Sequence, residues 1–265
     1  MRECSKCVRY AGKPAFFRPA ALFPNITEVR MKPEQRLIVA LDNLEEHEIV
    51  PIVRELAPHV GMFKIGLELI IKLGAGRAVN MVREEGGKVF LDGKFHDIPQ
   101  TMAMAAQAAS RMQVEFFTIH ACAGSDAVHE AVEASRTKIL GVTVLTSIDE
   151  HQCLSIFGDA PDKKVLQFAG WMDAAGADGI VCSPREAARI RLRYRELILV
   201  TPGIRPAWAC KDDQSRITTP AMAVKNGADY LVIGRPVTRP PREIGSRADA
   251  AKRVVEEIAS AEGGI

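Results

Sequence analysis

The run Lys88-Val89-Phe90-Leu91-Asp92-Gly93-Lys94-Phe95-His96-Asp97-Ile98-Pro99-Gln100-Thr101 decides how this chain is read. It opens as a short apolar strand and passes into an alanine-rich helix. Pro99 suits that helix's first turn, where proline's missing N–H would be an orphan anyway. Three charges lie between, at a strand's C-terminal end, where α/β folds build their sites. Asp92 and Lys94 are two apart and would share one face of an extended backbone. Asp97 falls beyond the strand's expected end. An isolated D-x-K-x-x-D reads as a solvated loop, because exposed ion pairs contribute little. Here two earlier apolar runs end the same way. Arg36–Asp42 closes on Asp42, and Met62–Gly66 carries Lys64, a lysine that is rarely buried among apolar residues without a partner. Charge at three successive strand ends is not explained by solvation.

Working outward, further apolar runs follow at Glu115–Ala121 with His120 near its end, Lys138–Thr146, Asp178–Cys182, Leu197–Gly203 and Tyr230–Pro236. Such runs suit parallel strands buried on both faces. Between them the apolar spacing turns helical. Ile49, Ile52, Val53 and Leu56 share one helical face behind Asn43, a candidate cap. One helix is expected from about Leu67 to the Gly86-Gly87 loop, and others over Pro99–Arg111, Ser125–Ser135, Asp149–Phe157, Lys163–Ala175, Pro184–Leu192, Pro220–Gly227 and Ala250–Ala261, the last capped by Asp249. Eight strands, each followed by a helix, predict an α/β chain folded as a single (β/α)8 TIM barrel. No G-x-G-x-x-G follows the first strand, which argues against a doubly wound dinucleotide fold. The barrel is expected to span residues 31–265. Residues 1–30 are aperiodic and read as a leader outside it, disordered or not native, with Met31 as an alternative start.

With 265 residues, 47% hydrophobic and 26% charged, the chain has material for one large core. A net charge of +2 without clustered Lys and Arg argues against a nucleic-acid surface. The one dense basic run, Arg189, Arg191, Arg193 and Arg195, reads as a solvated helix end. Six cysteines form no disulfide framework. Cys122 and Cys182 read as small core residues, and Cys4-x-x-Cys7 lacks the further ligands zinc needs. The expectation is therefore no metal, no membrane span, no secretory signal and a cytoplasmic location.

In a barrel the strand ends converge on one face, so Asp42, Lys64, Asp92 and Lys94 would meet as two carboxylates and two amines. One such pair at about 4 Å and an effective dielectric near 20 is worth roughly 4 kcal/mol before desolvation. Flanked by acids, Lys94 would stay an ammonium and act as a proton donor, not as a Schiff-base nucleophile. The last two strands carry another signal. Thr201-Pro202-Gly203 with Arg205 ends the seventh, and Gly234-Arg235 ends the eighth. Glycine lets backbone N–H groups approach an oxyanion and arginine offers a bidentate fork, so a phosphate is expected there. Gln214 in the long loop Ile204–Thr218 could add an amide donor.

These pieces resemble the orotidine 5′-phosphate decarboxylase family. The match runs through Val39–Asp42, Phe63–Gly66, Asp92–Thr101, Thr143–Ser147, Thr201–Arg205, Asp213-Gln214 and Ile233–Pro236. The resemblance implies a cofactor-free, homodimeric barrel that converts orotidine 5′-monophosphate to UMP. It implies that Lys94 protonates C6 of the pyrimidine while Asp92 sits against the substrate carboxylate. Asp42 and Lys64 would contact the ribose, with Lys64 also holding the acids. Asp97, with Ile98 and Thr101 beside it, would reach into the partner subunit's site. Thr146 would bond the pyrimidine edge, with Ser147 as the alternative hydroxyl. Arg205, Gln214, Gly234 and Arg235 would hold the phosphate. The Arg- and Pro-rich tail after Pro236 departs from the family pattern and is expected not to touch the site. Related sugar-phosphate decarboxylases and hexulose-phosphate synthases resemble the same motif but place a magnesium-binding Glu near the end of the second strand. Here Lys64 holds that place, with Glu68 beyond. A nucleotide-binding regulator without turnover is the remaining alternative, and it has no need for the full set of charges.

Overall fold

The computed structural model describes residues 31–209 and 218–262. β1 (Leu37–Ala40), α1 (Glu46–Leu56), β2 (Met62–Gly66), α2 (Leu67–Leu73), α3 (Ala75–Arg83), β3 (Val89–Phe95), α4 (Pro99–Arg111), β4 (Phe116–His120), α5 (Ser125–Ala134) and β5 (Lys138–Val142) make the first four strand-and-helix units and the fifth strand. α6 (Glu150–Phe157), α7 (Pro161–Ala174), β6 (Gly179–Val181), α8 (Ala187–Arg193), β7 (Ile198–Thr201), α9 (Pro220–Lys225), β8 (Tyr230–Ile233), α10 (Arg235–Thr238) and α11 (Arg247–Glu262) follow. The strands pair in chain order and β1 closes on β8, all parallel, so the barrel is the eight-stranded one expected.

Strand alternation divides the core in two. Leu37, Val39, Phe63, Ile65, Leu91, Phe117 and Ile119 point outward into the layer shared with the helices. Ile38, Ala40, Met62, Phe90, Phe116, Leu140, Val200 and Val232 fill the barrel's interior. The period of two carries the inward face of each strand onward to its last residues. Asp42 follows Ala40, Lys64 follows Met62, and Asp92 follows Phe90. The apolar interior therefore ends at its top in charge.

Several local expectations are corrected. The helix expected from Leu67 is two, because Gly74 adopts φ 75° between α2 and α3. Asn43 does not cap α1. It sits at φ 58°, and the Glu45 N–H instead donates to the Glu48 carboxylate at 2.8 Å. Ser246, not Asp249, precedes α11. Its hydroxyl donates to Asp249 at 2.6 Å and accepts the Asp249 N–H at 3.1 Å, a reciprocal cap. β5 ends at Val142, so Thr146 and Ser147 lie in the turn after it. Cys182 is buried but Cys122 is only half-buried. The arginine run is not simply solvated. Arg191 donates to the carbonyls of Arg195, Leu197 and Gly227 and to the Asp229 carboxylate at 2.5 Å. The turns from α8 into β7 and from α9 into β8 bring those carbonyls to one point, and a guanidinium has donors enough for all of them.

Candidate active site

Asp42, Lys64, Asp92 and Lys94 do come together. Lys64 Nζ lies 2.9 Å from Asp42 Oδ1 and 3.4 Å from Asp92 Oδ2, and Lys94 Nζ lies 2.7 Å from Asp92 Oδ2. The result is an alternating chain of acid, amine, acid, amine. Its middle is buried, with side-chain exposure of 11% for Lys64 and 8% for Asp92, and its ends are open. Burial pushes the Asp92 carboxyl up. The Lys64 and Lys94 ammonium groups, with hydrogen bonds from Lys94 and Thr118, outweigh that and hold it below its ordinary value. Asp92 therefore stays ionised between two cations.

The route to this geometry differs from the flat strand expected. Leu91 pairs with Phe117 and Phe95 with Ile119, so Asp92, Gly93 and Lys94 together face the single residue Thr118. Such extra residues make a bulge that re-aims a side chain. Lys94 takes φ 51°, a left-handed conformation that a lysine seldom adopts. Phe95 folds back onto Phe117, ring centroids 4.8 Å apart, and a Cβ on Gly93 would sit 2.1 Å from the Phe95 ring. Only glycine fits there. The Lys94 N–H, turned out of the ladder, donates to Thr118 Oγ1 at 2.9 Å, and that hydroxyl donates to Asp92 Oδ1 at 3.0 Å. Thr118 is fully buried and was not singled out from the sequence. The available signal was a polar residue sharing the inward parity of Phe116.

The four charges line a cavity of about 810 Å³ that is also lined by Thr146, Gly203, Arg205, Gly234 and Arg235. Gly203 is left-handed at φ 77°, and Gly234 leads directly into α10, which begins at Arg235. No carboxylate among the described residues lies within ion-pair distance of the Arg205 or Arg235 guanidinium. Of the two candidate hydroxyls, Thr146 lines the cavity and Ser147 does not. Gln214 lies outside the described residues. The tail is not remote, contrary to expectation. Arg239 and Pro241 line the cavity, and Arg239 donates to the Asn43 carbonyl at 2.9 Å, because α10 turns the chain back over the end of β1.

Asp97, Ile98 and Thr101 do not line this cavity. Asp97 is exposed and accepts the Ile98 N–H at 2.7 Å, and Ile98 is 65% exposed. His120 is half-buried, 5.9 Å from the His96 ring centre to centre. Burial, then the charges of His96 and Lys94, lower its pKa, so it stays neutral near pH 7. Glu68 is engaged elsewhere, accepting the Asn43 N–H at 2.8 Å and pairing with Lys72 at 2.7 Å.

The family described as orotidine 5′-phosphate decarboxylase / HUMPS matches residues 35–250. An orotidine 5′-phosphate decarboxylase of Geotalea uraniireducens is 43% identical over 238 residues, covering 86% of this chain and 97% of the relative. One from Heliobacterium modesticaldum is 43% identical over 244 residues, covering 86% and 98%. The crystal structure of orotidine 5′-phosphate decarboxylase from Lactobacillus acidophilus superposes with a TM-score of 0.71 at 32% identity, covering 84% of this chain and 98% of that one. A charged cluster capping a closed barrel, a cavity lined by that cluster and by two arginines, and matches along nearly the whole barrel agree: the chain belongs to the orotidine 5′-phosphate decarboxylase / HUMPS family.

Proposed function

We propose that this chain is a carboxy-lyase that converts orotidine 5′-monophosphate to UMP and carbon dioxide, without metal or organic cofactor. The observation that carries the reading is the Asp42–Lys64–Asp92–Lys94 chain in a cavity that Arg205, Gly234 and Arg235 also line. In this reading a carboxylated ring meets the charge chain and a phosphate meets the two arginines. Loss of carbon dioxide leaves an electron pair on C6 that water stabilises poorly. The Lys94 ammonium, already placed by the bulge, meets that pair without reorganisation and delivers its proton to carbon. Asp92 beside the substrate carboxylate adds like-charge repulsion that leaves with the product. Asp42 and Lys64 bind the ribose, Thr146 the pyrimidine edge, and Arg205, Gly234, Arg235 and Gln214 the phosphate. Phosphate binding, remote from the reacting carbon, supplies free energy that is used in the transition state. Lys64 also argues against the magnesium-dependent sugar-phosphate chemistry of related barrels, since its ammonium would repel a divalent ion and Glu68 is tied to Lys72.

The working unit in this proposal is a cytoplasmic homodimer of the residue 31–265 barrel; the leader expected over residues 1–30 lies outside the described residues. Asp97, Ile98 and Thr101 then serve the partner's cavity. Their outward placement supports this, as do the exposed apolar Ile98 and Met104 by α4 and Leu67 and Ile71 on α2. No helix among the described residues is long and apolar enough to cross a membrane.

The direct test is the ultraviolet change when protein meets orotidine 5′-monophosphate with a chelator present. Wild type should consume the orotate chromophore. Lys94→Ala should not, while still binding UMP. A Lys94→Ala protein turning over like wild type would sink the assignment. Mixed Lys94→Ala and Asp97→Ala subunits should regain activity, because one of the two sites in a heterodimer is then intact. Heterodimers without activity would refute the shared site.

A further inference from the structure

Thr118 is the buried polar residue next to the charge chain that the mechanism above leaves unused. It has no exposure to solvent and does not line the cavity. Its hydroxyl has a single proton. The Lys94 N–H is a donor only, so at 2.9 Å the hydroxyl must accept from it. The one proton is thereby committed to Asp92 Oδ1, 3.0 Å away. Both lysines contact the other oxygen, Oδ2, at 2.7 and 3.4 Å. Thr118 thus anchors the one carboxylate oxygen that the ammonium groups do not hold.

We infer that Thr118 is a positioning residue for the proposed reaction: its hydroxyl locks Lys94 in the left-handed bulge and fixes the carboxylate plane of Asp92, so that proton donor and carboxylate are both placed before substrate binds. Three local facts support this. The bulge puts three β3 residues against Thr118 alone, and the Lys94 N–H donates to the Thr118 hydroxyl. Lys94 holds φ 51° without being glycine, which costs free energy and needs a fixed partner. The position continues the inward face of Phe116, and valine differs from threonine there by the hydroxyl.

The inference rests on the decarboxylase reading, and its test separates the two. Wild-type turnover is measured first, and its absence would refute the activity alone. Independently of turnover, hydrogen exchange at the Lys94 amide of the wild-type chain should be slow, like that of a strand amide. Exchange at the rate of an open loop would overturn the role of Thr118, whatever the reaction. Thr118→Val should lower kcat by about 10- to 100-fold, the size of lost hydrogen bonds to charged groups, while KM and UMP binding stay close to wild type. The acid limb of its kcat profile should move to higher pH, since Asp92 loses a donor. Thr118→Ser should restore both rate and pH profile. A folded valine variant with wild-type kcat, a parallel loss of kcat and UMP binding, or a serine variant no better than valine would each refute the inference. Should the valine variant fail to fold, the amide exchange and the serine variant decide.

Discussion

Gly66→Ala tests how closely the charge chain is fitted. Gly66 ends β2 opposite Asp92, and a Cβ built on it would lie 2.7 Å from Asp42 Oδ1 and 2.9 Å from Lys64 Nζ. Both are far ends of movable side chains, so the backbone can stay while the ion pair opens. Opening it from 2.9 Å to about 4 Å lowers the attraction from about 6 to about 4 kcal/mol at an effective dielectric near 20. Asp42 is 43% exposed, and solvent screening reduces the net loss of stability to less than about 1 kcal/mol. In a barrel of this size that is about 2–4 °C in Tm. Activity should suffer far more. A group displaced by roughly 1 Å costs on the order of 100-fold, and Lys64 is the link between Asp42 and Asp92. Stopped-assay loss of the orotate chromophore, beside thermal unfolding of the same preparation, reads both quantities. A folded Gly66→Ala protein with unchanged kcat/KM would refute the reasoning. So would an activity loss matched by collapse of the fold.

Two further outcomes concern pH. Burial raises the Glu186 carboxyl from 4.5 to about 7, despite the Ser183 N–H donated to it at 2.9 Å. A raised folded pKa means stability is complete below 4.5 and is lost as pH rises through about 7. That interval corresponds to at most about 3 kcal/mol, so Glu186→Gln should be the more stable protein at pH 8 by up to that amount in urea unfolding; equal stability there would contradict the placement. Asp92 has the opposite sign. Its folded pKa is depressed below the ordinary 3.8, so its ionic stabilisation is present above that value and fades as pH falls through the folded one. Asp92→Asn should be less stable than wild type near neutrality, with the gap narrowing in acid, and a constant gap would refute the coupling to Lys64 and Lys94.

Much of this architecture was legible before any coordinates. Unbroken apolar runs with charged ends require parallel strands buried on both faces, and eight of them with helices between require closure into a barrel. The period of two also explains why Asp42, Lys64 and Asp92 meet, since each continues the inward face of its own strand. Glycine and arginine at the last two strand ends marked further residues of the cavity's lining for the same reason. What sequence periodicity does not carry is the relation between neighbouring strands. Thr118 meets Asp92 and Lys94 only because β3 bulges against β4, a mismatch of register that neither strand encodes alone. Arg191 reads as one more surface cation until the turns around Gly227 and Asp229 bring carbonyls and a carboxylate to it. Arg239 reaches the cavity because α10 folds the tail back over β1, and Asp97 does not line it although it belongs to the same short motif as Asp92 and Lys94. Local spacing determined which residues face the barrel's mouth. Through-space packing between distant segments decided which groups touch there, because hydrogen bonds and ion pairs depend on ångström distances that spacing along one strand does not set.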